Sequence, residues 1–288
     1  MKGIAQKYYR FFSGKYQRVF LDYPVQTRPR LAPGNVAYER MRELIAKNDN
    51  VYKAFLSSAI LPFKERLWEI LPADSKNNSD ILPTWNNGFF PGLDMMALYG
   101  MLSKYKPCTY IEVGSGNSTR MARKAIKDQS LATRLLSVDP FPRRSIEGIA
   151  DVIIRQPLEK VDVQEQIVRQ LKANDILFID NSHRSFANSD ATVFFLEILP
   201  FLKKGVIVHV HDVYLPYDYP QTMCDRFYNE QYLLASMLLS SQNLFDVIFP
   251  CYYTFMNPEI NQVISSVWQH PNLETVEQHG GSFWLQIR

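Results

Sequence analysis

The stretch from Tyr110 to Thr119, Tyr-Ile-Glu-Val-Gly-Ser-Gly-Asn-Ser-Thr, constrains the fold of this chain more than any other. A short apolar run ends on an acid, Glu112, then breaks into a turn at Gly114 and Gly116. Ser118 and Thr119 are suited to cap a helix beginning Arg120-Met121-Ala122-Arg123-Lys124. The pattern predicts a buried strand feeding a helix through a turn so tight that a ligand can touch its backbone. Such a turn sets exposed N–H groups over the strand's C-terminal end. A glycine pair alone also suits a plain structural turn, so the downstream sequence has to decide.

A dinucleotide-binding fingerprint would place a third glycine at position 119. Thr119 stands there instead, which argues against an NAD-dependent oxidoreductase. Glu112, Gly114 and Gly116, with Ser118 at the last position, resemble motif I of the class I S-adenosylmethionine-dependent methyltransferases, acid-x-G-x-G-x-G. The departure at Ser118 keeps the side chain small and adds a cap. The resemblance implies S-adenosylmethionine as cofactor, with Glu112, Gly114, Ser115, Gly116, Asn117, Ser118 and Thr119 as its binding turn.

Further on, Leu135-Leu136-Ser137-Val138-Asp139 is a second apolar run ending in an acid. Its distance from Gly116 suits one helix and a return crossover, and a carboxylate so placed can accept both hydroxyls of a ribose. Asp151–Arg155 predicts a third strand, with Gln156-Pro157-Leu158-Glu159 as a loop that in this fold borders the adenine. Asp175–Asp180 predicts a fourth, running into Asn181-Ser182-His183, and Val206–Val210 a fifth, running into His211-Asp212. Apolar runs alternating with helical segments predict a parallel sheet covered on both faces. Glu112, Asp139, Asp180 and Asp212 then fall at the strand ends where open α/β sheets bind ligands.

The resemblance extends from about Trp85 to Arg288. Phe178–His183, Leu199–Gly205 and His211-Asp212 look like the branch that methylates hydroxyls of small molecules and sugars. It implies an α/β, doubly wound, mostly parallel, seven-stranded Rossmann-like sheet. An antiparallel pair, Leu244–Phe249 and Ser282–Ile287, would close it. Residues 1–84 are expected to form an N-terminal arm and helical accessory segment, and residues 85–288 the cofactor-binding core. The expected function is methyl transfer to a hydroxyl of a small-molecule acceptor. A non-catalytic S-adenosylmethionine-binding protein is the alternative.

An attacking hydroxyl must lose its proton to a base or to a metal. His183, His211 and Asp212 are the candidate catalytic residues, with a histidine preferred as base. Asp180, His211 and Asp212 are the tentative set for a divalent metal, and histidine suits Mg²⁺ poorly because that ion prefers oxygen ligands. His209 is read as pointing the other way along its strand, and His270 and His279 as lying outside the constellation. Asp180-Asn181-Ser182-His183 lacks the proline and aromatic of the nucleobase amino-methyltransferases, which disfavours that chemistry.

A net charge of +3 over 288 residues gives no reason to expect a nucleic-acid partner. Residues 1–40 nevertheless hold eight Lys or Arg against Asp22 and Glu39, interleaved with Tyr8, Tyr9, Phe11, Phe12, Tyr16 and Phe20. The expected role of that arm is packing on its own subunit or on a second copy in a homo-oligomer. Pro24, Pro29 and Pro33 interrupt any helix there. Val36–Lys47 and Val51–Leu71 read as helices, and Lys76–Asp80 as a polar turn. Trp85, Phe89 and Phe90, upstream of the first core strand, suit either a wall for the cationic sulfonium or an anchor for the following helix. Cys108, Cys224 and Cys251 have no metal or disulfide spacing. With no signal-peptide pattern and no apolar run long enough to span a bilayer, a cytoplasmic location is expected.

Overall fold

The structure is a computed structural model that describes residues 8, 9, 11–14, 19–32, 34–76, 79–142, 145–240 and 244–288. Tyr16 and Pro33 of the arm, and Asn77 and Asn78 of the polar turn, lie outside the described residues.

Seven strands form one sheet: β1 Thr109–Val113, β2 Arg134–Val138, β3 Val152–Ile154, β4 Ile176–Ile179, β5 Ile207–Val210, β6 Phe245–Pro250 and β7 Phe283–Ile287. Their spatial order is β3-β2-β1-β4-β5-β7-β6. The pairs from β3 to β5 are parallel, and β7 runs antiparallel to both β5 and β6. This is the doubly wound sheet closed by an antiparallel pair that the sequence implied. Strands buried on both faces read as unbroken apolar runs. Accordingly Ile176–Ile179 and Ile207–Val210 are buried at every position.

From β1 the chain winds outward to β2 and β3, then returns to place β4 on the opposite side of β1. The reversal opens a crevice above the C-terminal ends of β1 and β4, where such sheets receive ligands. The backbones draw together there: Asp180 N–H donates to the Val113 carbonyl at 2.9 Å.

The helices that position the site are α1 Glu39–Ala46, α2 Asp49–Phe55, α3 Lys64–Trp68, α4 Gly92–Tyr105, α5 Asn117–Asp128, α6 Val161–Gln170, α7 Asp190–Val193 and α8 Glu230–Leu239. Between α2 and α3 the backbone widens into a π turn, Leu56–Ile60, then tightens into a 3₁₀ turn. α4 is buried from Gly92 to Ser103, and over that stretch it is apolar all round except for Asp94 in its first turn and Ser103 at the far end. The N-terminal helices share the core of the sheet. Met41, Ile45, Tyr52 and Phe55 belong to the same buried cluster as Trp284 and Phe249, and the Phe55 and Phe249 rings lie 4.6 Å apart. Asn48 ties this segment to β6 through the Val247 carbonyl at 2.9 Å. No helix among the described residues is long and apolar enough to cross a membrane.

Candidate functional site

A cavity of about 650 Å³ opens over the C-terminal ends of β1, β2, β4 and β5. At one end its wall is made by Gly114, Ser115, Asp139 and Leu158; at the other by Asp180, His183, His211 and Asp212. A smaller cavity adjoins, lined by Phe89, Phe90, Gly116, Asn117 and Ser118.

The two glycines of the turn do different work. Gly114 has φ +84°, and a Cβ there would stand 2.1 Å from the Asp180 carbonyl oxygen, so no other residue fits where β1 and β4 converge. Gly116 has φ 172°, extended backbone open to any residue, and a Cβ would meet nothing within 4 Å. Its missing side chain leaves room beside the small cavity.

Glu112 and Thr119 do not line either cavity. Glu112 is wholly buried among the hydroxyls of Tyr110 (3.3 Å), Ser118 (3.1 Å) and Thr119. Burial pushes its carboxyl up to about 8, against the pull of those three hydroxyls. Thr119 Oγ1 accepts the Gly116 N–H at 2.9 Å, so acid, hydroxyl and turn form one brace. Asp139 does reach the crevice, oriented by the N–H groups of Ser115 (2.9 Å) and Phe141 (2.8 Å). Pro157, Leu158 and Glu159 line the same end, where the loop after β3 was expected. Trp85 is fully buried and serves as an anchor, whereas Phe89 stands 62% exposed at the rim of both cavities.

At the other end two histidines and four carboxylates interlock. His183 Nδ1 meets Glu230 at 2.5 Å, and its Nε2 faces Asp180 and Asp212, each at 3.4 Å. His211 Nε2 meets Asp94 at 3.2 Å, and its Nδ1 faces Asp180 (3.5 Å) and Asp212 (3.7 Å). Burial by itself would strip both imidazoles of their protons. Glu230, Asp180 and Asp212 outweigh it and hold His183 up to about 10, and the carboxylates around His211 hold it well above the usual histidine range. Burial likewise favours the neutral form of Asp180, yet His211 and His183 pull it well below the ordinary carboxylate range. His183 and Asp212 both adopt left-handed backbone, φ 61° and 53°, a strained conformation of the kind that gathers at functional sites.

The tentative metal set fares poorly on its chemistry. Both nitrogens of His211 are turned on carboxylates, Nε2 on Asp94 and Nδ1 on Asp180, and an imidazole that donates from both has no lone pair to give a cation. No group of three or more His, Cys, Asp or Glu among the described residues is arranged to hold a metal.

Two expectations about histidines are corrected. His209 lies two residues before His211 and therefore on the same face, with the rings 5.8 Å apart. It is an uncharged core group, stacked 3.7 Å from Phe178 and bonded to Ser282 at 2.7 Å; burial pushes its pKa well below the usual range. His279 lines the cavity, facing Glu277 at 3.7 Å. His270 stacks on Trp68, away from the site.

Asp94 and Glu230, the carboxylates behind the two histidines, were not anticipated. Asp94 also accepts the N–H groups of Gly281 and Ser282, each at 2.8 Å, joining α4 to the entry of β7. The signal for Asp94 was a lone acid in the apolar helix Gly92–Tyr105; for Glu230 it was an acid opening the apolar run Tyr232–Leu239.

Residues 111–213 match the family described as a methyltransferase domain. No curated protein matches the chain. Among solved structures it is similar to the methyltransferase PaMTH1 of Podospora anserina bound to SAH, at 15% identity and TM-score 0.42, over 84% of this chain and 95% of that one. It is also similar to the plantazolicin methyltransferase BpumL in complex with SAH, at 13% identity and TM-score 0.41, over 87% and 98%. The matched stretch, which carries the glycine turn, Asp139, Asp180, His183 and His211, is similar to a methyltransferase domain and lies in a sheet ordered β3-β2-β1-β4-β5-β7-β6.

Proposed function

We propose that this protein transfers a methyl group from S-adenosylmethionine to a hydroxyl of a small molecule or sugar. The observation that carries the reading is a single cavity that joins the glycine turn and Asp139 to the His183–His211 cluster. Residues fit for the cofactor stand at the first end. Asp139 would take the ribose hydroxyls, and Ser115 to Ser118 would border the ligand. Asn117 and Asn181 line the small and large cavities, and among the described residues their buried Oδ1 and Nδ2 have no hydrogen-bond partner, a condition that a polar ligand relieves. When bound, S-adenosylmethionine supplies an electrophilic methyl group.

The remaining work falls to the chain. In-line transfer needs the acceptor oxygen held in near-attack geometry, and much of the rate comes from that placement. His183 is the better base of the two histidines. Glu230 fixes its Nδ1, leaving Nε2 at the cavity between Asp180 and Asp212. His211 is the more deeply buried ring, with Asp94 on Nε2 and Asp180 and Asp212 beside Nδ1, and acts as a fixed positive charge that keeps Asp180 and Asp212 in place. No step is assigned to a metal, because the candidate ligands are spent on the imidazoles. The three unpaired cysteines suit a reducing, cytoplasmic compartment.

The test is to incubate the protein with isotopically labelled S-adenosylmethionine and a pool of hydroxylated metabolites, with and without chelator, and read methylated products by mass spectrometry. A methyl ether formed equally in chelator is the expected outcome. Cofactor binding with no labelled product would sink the catalytic reading, and label on nitrogen would sink the choice of acceptor.

A further inference from the structure

Beyond His183 the cavity wall carries two cations that nothing in the proposed chemistry uses. Arg184 follows His183 directly, Arg226 lies in the loop before α8, and both line the cavity. Their guanidinium carbons lie 5.1 Å and 4.6 Å from the centre of the Tyr228 ring. That ring is stacked 4.5 Å from the His183 imidazole. Arg184 gives its Nε to the Arg226 carbonyl and one terminal nitrogen to the Ser182 carbonyl, both at 2.7 Å. Its head group is thus fixed by backbone rather than by a counter-ion.

Among the described residues, neither guanidinium has a carboxylate within ion-pair distance. The nearby acids of the wall are committed elsewhere. Asp190 accepts both the N–H and the hydroxyl of Ser182, Glu277 faces His279, and Asp180 and Asp212 face the imidazoles. Two like charges gathered at one ring repel each other, and an anion entering beside them offsets that repulsion. The planar guanidinium fork matches carboxylate and phosphate in particular.

We propose that Arg184 and Arg226, gathered at Tyr228, form an anion subsite that selects acceptors bearing a carboxylate or phosphate beside the hydroxyl to be methylated. The word acceptor rests on the methyl-transfer reading above; the subsite itself can be measured without turnover. An anionic group held there is anchored one residue beyond His183, so the hydroxyl of a compact molecule falls at the imidazole.

The experiment titrates the SAH-saturated protein by calorimetry with glucuronate, glucose 6-phosphate, inorganic phosphate and uncharged glucose. At least one of the two charged sugars should bind ten times or more tighter than glucose, and which one does so identifies the anion. Arg226→Gln removes a side chain that makes no hydrogen bond within the described fold; it should weaken the charged sugar tenfold or more and leave SAH affinity unchanged. Arg226→Lys should recover only part of the loss, because it keeps the charge without the fork. Glucose binding as well as its charged analogues, no anion binding at all, or anion affinity unmoved in Arg226→Gln would overturn the proposal. Repeating the titrations without SAH separates the two readings. Anion binding that persists in a protein with no affinity for SAH supports the subsite and removes the cofactor assignment, whereas SAH binding without anion binding does the reverse.

Discussion

Glu112 and His183 both keep their protons, for opposite reasons: burial holds Glu112 neutral, whereas carboxylates hold His183 charged against its burial. Glu112 has only neutral hydroxyls around it, and its folded value of about 8 lies above the ordinary 4.5. A raised folded value contributes stability that is full below the unfolded value and is lost as pH climbs toward the folded one. The contribution of Glu112 is therefore present below about pH 4.5 and gone by about pH 8. Glu112→Gln keeps the shape and cannot ionise. It should melt above the parent at pH 8 and close to it at pH 5, and S-adenosylmethionine should still bind, since Glu112 braces the turn without reaching the cavity. Equal melting at pH 8, or lost binding in a folded protein, would contradict this account. For His183 the carboxylates win, and the same sign applies. Its stabilising charge is present below about pH 6.5 and is lost as pH rises through about 10. The neutral imidazole that accepts a proton is scarce at pH 7. Turnover should therefore climb from pH 7 toward 10 rather than level off in the ordinary histidine range. His183→Gln should flatten the climb and cut turnover roughly 10²–10⁴-fold with cofactor affinity kept. A plateau by pH 7.5 would show that another group takes the proton.

Among the elements, the turn between β1 and α5 offers the sharpest contrast. Gly114→Ala drives a methyl group into the Asp180 carbonyl and demands a left-handed alanine, so β1 and β4 must part. It should cost several kcal/mol and lower the melting temperature together with cofactor affinity. Gly116→Ala meets open space and ordinary backbone, so the fold should stay intact while any binding defect reports ligand contact alone. Comparable destabilisation by both would remove the distinction. The contrast also marks how far the sequence could be read. β1, β2, β4 and β5 announced themselves as apolar runs closed by acids, and their common edge followed from the topology of parallel sheets. Which glycine was indispensable did not follow, because the obstructing atom belongs to β4, far along the chain. The same limit hid Asp94 and Glu230, which meet His211 and His183 across 117 and 47 residues. A residue's own neighbours in sequence carry no record of contacts at that range. The charge on the histidines was out of reach for this reason: His183 and His211 were legible together with Asp180 and Asp212, but Glu230 and Asp94 behind them were not. His209 was misplaced more simply, since the two-residue period of a strand already assigns it to the face of His211.

In the whole molecule, distant segments converge on one edge: α4 brings Asp94, α8 brings Glu230, and the entry of β7 gives two N–H groups to Asp94. The last strand is also interior, seated between β5 and β6 with Phe283, Trp284 and Leu285 fully buried. During synthesis, β5 must wait beside an empty slot until residues 283–287 emerge from the ribosome. Until then two adjacent edges offer unpaired N–H and carbonyl groups to other chains. Removing residues 281–288 should therefore yield aggregated protein rather than a soluble, inactive one, as read from the soluble fraction after expression. A soluble truncated chain that still binds S-adenosylmethionine would show that the slot can stay open. Ribosomes stalled just short of the last strand should accordingly be the point at which this chain depends most on chaperones.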